Sequence, residues 1–172
     1  VLPVDVSYSR WDSVMEKKGR ALRLGLREVD GLREADLSPL REAWGKDMYF
    51  GRLPPSALEK LAAADCFRSL GLDRRQALWE VKAIAKSKPL PLFAHADEKD
   101  QGAEQFVRLP EMPLSEHVVH DYQTIKLSLK AHPLEFMRAR CVAERVTDNA
   151  ALKAVKDGRF VSVAGVVLVR QR

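Results

Sequence analysis

Apolar and polar positions alternate near the start of the chain, at Val4, Val6 and Tyr8. They alternate again over Ala21-Leu22-Arg23-Leu24-Gly25-Leu26, where small or basic residues separate the apolar ones. A period of two predicts short strands or extended segments, and Val29-Asp30-Gly31-Leu32-Arg33 follows as a turn. Beyond it the pattern becomes helical. Ser38-Pro39 supplies a cap and a first-turn proline for a helix that can run only to about Trp44, before Gly45. Leu53-Pro54-Pro55-Ser56 opens a second helix with Leu58, Leu61 and Ala62 on one face. Residues 65–71 break it. Asp73 caps a third helix, with Gln76 at capping-box spacing and an apolar stripe of Ala77, Leu78, Val81, Ile84 and Ala85. Arg74, Arg75, Lys82, Lys86 and Lys88 read as its polar, basic remainder. Four prolines bracket the polar stretch HADEKDQGAEQ between 87 and 113, the best linker in the chain. Ser115 then caps a helix to about Gln123, Pro133 begins another, and Asn149 to Lys156 forms a short one stopped by Gly158. Arg159 to Val169 carries the strongest strand signal, with no partner strand after it. The expected fold is mainly α, with an extended segment over 1–20 and one C-terminal β-strand.

Composition narrows the class. A length of 172 residues and 19.4 kDa suits one domain or two small ones. At 46% hydrophobic and 31% charged the chain is globular, and no apolar run nears the roughly 20 residues of a membrane span. Val1 is not a start methionine, and VLPVDVSYSR lacks the blocks of a signal peptide, so the sequence reads as a piece of a longer protein. Cys66 and Cys141 lack metal-ligand spacing and are too few for a disulfide framework, which fits reduced thiols in the cytoplasm. Secreted, collagenous, membrane and zinc-finger classes are excluded. A net charge of +5 and a pI near 9.3 favour a polyanionic partner, though the excess is modest.

Little in the chain looks catalytic. His117 and His120 have the His-x-x-His spacing that places two rings near one helix face, but no third ligand follows. No GxSxG, phosphate-binding loop or GxGxxG is present, and the carboxylates are interleaved with Lys and Arg as surface pairs are. The informative pattern is a pair of hairpins between short helices, at 29–34 and 63–71. A glycine-bearing hairpin of this kind turns backbone N–H groups toward a phosphate, and the helix that follows adds its positive end. Such contact reads the nucleic-acid backbone and not the bases.

Five blocks carry a family resemblance in order: ALRLGLREVDGLRE (21–34), LPPSALEKLAAADCFRSLGLDRRQALWEVKAI (53–84), PLPLF (89–93), LPEMPLSEHVVHDYQTIKLSLKAHPLEFMRAR (109–140) and GRFVSVAGVVLVRQR (158–172). Together they resemble the C-terminal part of the bacterial C-family DNA polymerase III α subunit, most closely its error-prone paralogue of damage-induced translesion synthesis. The resemblance implies a tandem helix-hairpin-helix region binding duplex DNA over 21–88. It further implies a linker over 89–108, a helical connector over 109–157, and the first strand of an incomplete OB-fold over 158–172. Arg27, Gly31, Leu32, Arg33, Arg74, Arg75 and Lys82 are the expected DNA contacts. The family's catalytic aspartates and their magnesium ions lie upstream, so no cofactor is expected here and the chain should not polymerise DNA by itself.

Three departures qualify the likeness. The first hairpin reads Gly31-Leu32-Arg33 where the family has Gly-apolar-Gly, so a side chain stands at one donor position. Asp65 replaces a glycine in the second hairpin, which points to a structural role because a carboxylate repels phosphate. Residues 45–52 make a shorter connection than the family's. PLPLF resembles the extended ligands of bacterial sliding clamps, with Leu90, Leu92 and Phe93 as anchors, although Pro89 stands where those ligands carry Gln. The two functional expectations are therefore sequence-independent duplex binding and docking of a clamp or polymerase accessory protein.

Overall fold

A computed structural model describes residues 1–38, 53–86, 108–167 and 169–171. They fall into two compact units, 1–129 and 130–172. The predicted helix over 39–44, the connection 45–52 and the PLPLF segment lie outside the described residues.

The first unit opens with an extended segment rather than a strand. Val4 and Val6 are buried and Tyr8 is exposed, while Val6 N–H donates to Cys66 O at 2.9 Å. Asp5 is buried and fixes the segment: its carboxylate accepts from Ser7 N–H, Ser69 Oγ and Ser69 N–H. Tyr8 N–H and Ser9 N–H both donate to Asp5 O, closing a turn at residues 6–8 that ends the extended run. Strands β1 (Val14–Glu16) and β2 (Ala21–Arg23) form an antiparallel hairpin with Met15 opposite Leu22, and Leu2 bridges Arg23 in parallel. Gly25 is required by close approach, since a Cβ there would lie 2.5 Å from the carbonyl carbon of Asp12 and 2.6 Å from Ser13 N.

Helix α1 (Pro55–Ala63) starts at the Pro54-Pro55 pair, where a missing N–H costs nothing, and buries Ala57, Leu58, Leu61 and Ala62 as its spacing requires. It packs against α2 (Arg74–Lys86), whose first turn is capped by Asp73 Oδ1 accepting from Gln76 N–H at 2.7 Å. The Gln76 side chain donates to Glu80 and accepts from Leu109 N–H, so only one half of a capping box is built on the Asp73 carboxylate. Between the two helices Asp65 adopts φ +61° and Gly71 φ +77°, bracketing a 3-10 turn over Arg68–Leu70. Helix α3 (Leu114–Thr124) begins after Pro113, so Ser115 sits inside its first turn and is not the cap. The common core runs from Val4 and Val6 through Leu24, Leu26, Val29 and Leu32 to Leu58, Leu61, Phe67, Val81 and Ile125.

The second unit is built of short pieces. A 3-10 turn, Pro133–Glu135, is capped by His132 Nδ1 accepting from Leu134 N–H at 3.2 Å. Helix α4 is only Arg138–Ala143, shorter than the run expected from Pro133. A 3-10 turn over Ala151–Ala154 replaces the expected helix, and Gly158 with φ +80° ends that region. Residues 159–167 and 169–171 are exposed and form no ladder among the described residues, although Thr147 N–H donates to Ser162 O. β-propensity alone does not make a strand; the backbone groups need a partner. No helix among the described residues is long and apolar enough to cross a membrane.

Candidate nucleic-acid interface

The first hairpin is held from both sides. A 3-10 turn over Leu26–Glu28 leads to Val29, and Asp30 N–H donates to Thr124 O at 2.7 Å, tying the hairpin to the end of α3. Gly31 follows with φ +69°, a conformation that favours glycine; its missing Cβ would have room, 3.6 Å from Lys60 Cε. Leu32 is buried and its N–H donates to Val29 O. Leu32 is therefore the anchor of the turn and not a contact residue, a correction to the sequence expectation. Arg33 then caps a 3-10 turn over Glu34–Leu37 and grips both oxygens of Asp36 at 2.9 and 3.1 Å.

Two lysines from distant parts of the chain meet this hairpin. Lys60 Nζ, on α1, donates to Gly31 O, and Lys126 Nζ, just past α3, lies 2.8 Å from Asp30 Oδ2. Lys126 bonding holds the Asp30 carboxyl below its ordinary value, and the Arg33 guanidinium does the same for Asp36. Asp36 in turn raises the Arg33 guanidinium. Arg33, Lys126 and Asp30 are largely exposed while Asp36 is buried, so water reaches both cations and a phosphate can compete for them.

The other expected contacts divide. Arg27 is exposed and pairs with Asp12 at 2.6 Å. On α2, Lys82 is exposed, and Arg75 lies partly open with Glu116 Oε2 at 3.0 Å and Pro110 O at 3.1 Å. Arg74 is a second correction. Its side chain is 0% exposed, paired with Asp121 and donating to His117 O at 2.9 Å. It cannot face a phosphate while α2 and α3 stay packed. The helical spacing already signalled this, because 74 precedes 77, 78 and 81 at i+3, i+4 and i+7 on the buried stripe.

The second hairpin is turned inward as well. Asp65 is buried and accepts from Arg68 Nε at 2.9 Å, with His117 Nδ1 3.9 Å away. His117 is itself buried against Arg68, and no metal-holding group of three or more His, Cys, Asp or Glu exists among the described residues. His117 is thus part of a packing network, and His120 is half-buried on the same helix. Lys60 and Lys126 were invisible to sequence reasoning, since their hairpin contacts span 29 and 96 residues.

This architecture defines a helix-hairpin-helix module, and the helix-hairpin-helix motif family matches residues 1–77. Over its whole length the chain is 44% identical to an error-prone DNA polymerase of Sinorhizobium medicae (strain WSM419) and 46% identical to one of Rhodopseudomonas palustris (strain HaA2). An error-prone DNA polymerase of Brucella abortus biovar 1 (strain 9-941) is 44% identical, again across the full chain. The chain spans 17–18% of the length of these relatives. The chain thus resembles one segment of error-prone DNA polymerases and carries a helix-hairpin-helix motif.

Proposed function

We propose that this chain binds duplex DNA without sequence preference, as a non-catalytic part of a cytoplasmic error-prone polymerase acting in translesion synthesis. The observation that carries the reading is the exposed Gly31 hairpin, flanked by the cations of Arg33, Lys60 and Lys126. Backbone and lysine contacts of this kind engage phosphates and leave the bases unread. On this reading, polymerisation and any magnesium ions it needs belong to other parts of such a polymerase. The sliding clamp is a second proposed partner, supported by the sequence of 89–93 alone.

The test is fluorescence anisotropy with several unrelated duplexes, comparing the wild type with Lys60→Ala/Lys126→Ala. Affinity should fall equally for every sequence, and the slope of log K against log salt should flatten by roughly two units. Unchanged affinity and slope would remove the hairpin from the interface. A loss confined to one sequence would refute backbone reading.

A further inference from the structure

The turn joining β1 to β2 reads Lys17-Lys18-Gly19-Arg20, and all four residues are exposed. Its backbone is unusual. Lys17 and Lys18 have φ of +49° and +57°, followed by Gly19 at +83°, and Glu16 O accepts from Gly19 N–H at 3.0 Å and Arg20 N–H at 3.1 Å. Within this four-residue loop, Glu16 to Gly19 form a turn whose two central residues, Lys17 and Lys18, both have positive φ, positions that Asn and Gly occupy with least strain. Lysine gains nothing conformationally at either position, and residues held in costly backbone regions cluster where a site uses them.

The base of this hairpin is fixed. Arg23 binds both oxygens of Glu16, donates to Pro3 O, and lies 5.1 Å from the Tyr8 ring centroid. Leu2 N–H donates to Leu22 O at 2.7 Å, and Leu24 N–H, just past β2, donates to Leu2 O at 3.1 Å. Glu16, the acid next to the turn, is therefore engaged by Arg23, and Lys17, Lys18 and Arg20 have no acidic partner among the described residues. Nothing lies within 4 Å of where a Gly19 Cβ would stand, so the tip projects clear of its own unit.

We propose that the β1–β2 tip is a second phosphate contact, gripping the same duplex that the Gly31 hairpin is proposed to bind; it rests on that reading. A two-stranded ribbon is narrow enough to enter a duplex groove, whose walls are phosphates. Three cations with no acidic partner among the described residues, on a tip whose base is fixed, suit those walls, and such a contact carries no sequence information.

The test uses the 172-residue chain with Lys17→Asn/Lys18→Gly/Arg20→Gln. Asn-Gly is the pair this turn favours, so the hairpin should melt no earlier than in the wild type while its three charges are gone. Affinity for unrelated duplexes of about 20 base pairs should fall about tenfold near 0.1 M salt, with the salt slope reduced by roughly two to three units. Affinity within twofold of wild type and an unchanged slope would overturn the inference and leave the Gly31 reading standing, provided Lys60→Ala/Lys126→Ala still binds more weakly. A wild type that fails to bind any duplex would overturn both.

Discussion

Replacing Arg74 by methionine removes a guanidinium that is wholly buried, and it leaves the Asp121 carboxylate buried without its counter-charge. Two further bonds depend on this pair: Arg74 Nη1 on His117 O at 2.9 Å, and Ser128 Oγ on Asp121 Oδ2 at 2.8 Å. Breaking a buried pair from one side costs about 3–5 kcal/mol. With a urea m-value of about 2 kcal/mol/M, the unfolding midpoint should drop by roughly 2 M. Asp121→Leu alone should cost a similar amount. The double variant Arg74→Met/Asp121→Leu removes both charges and should recover at least half of the loss, because an apolar pair of similar volume pays no desolvation. Arg75→Ala is the control. Its pair with Glu116 is open to water and should be worth no more than about 1 kcal/mol. The measurement is urea denaturation followed by tryptophan fluorescence, with duplex anisotropy on each folded variant. If Arg74→Met kept the wild-type midpoint and lost a unit of salt slope, Arg74 would lie on the DNA and the packing of α2 on α3 would be wrong.

Gly25→Ala pushes a methyl group into the backbone of residues 12 and 13, and overpacking of this kind costs about 1–3 kcal/mol. Thermal melting should fall by roughly 2–12 °C, and an unchanged melt would show that residues 11–13 do not lie against Gly25. For the clamp, Leu92→Ala/Phe93→Ala should abolish a micromolar-range contact in a titration with sliding clamp, since two large apolar anchors contribute roughly 1.5–3 kcal/mol each. Equal binding by the variant and the wild type would refute the clamp contact.

Local chemistry was legible along the chain. The Pro-Pro start of α1, the apolar face of Leu58, Leu61 and Ala62, the Asp73 cap and the left-handed Gly31 and Gly71 all follow from interactions within a few residues. The predicted turn at 29–33 and β2 rest on the same footing, as do the ordered blocks that resemble the polymerase family. Tertiary packing decided the rest. The spacing of Arg74 puts it on the buried stripe of α2, but its partner appears only when α3 brings Asp121 to it across 47 residues. Arg159 to Val169 shows strong strand propensity, yet a strand exists only with a partner to bond, which its own residues do not supply. Lys60 and Lys126 look like any exposed lysines, and their meeting at the Gly31 hairpin depends on how α1 and α3 dock. Periodicity and capping are short-range properties and are written in consecutive residues. Charge pairing and site assembly depend on contacts between residues far apart in the chain, which only the folded core sets.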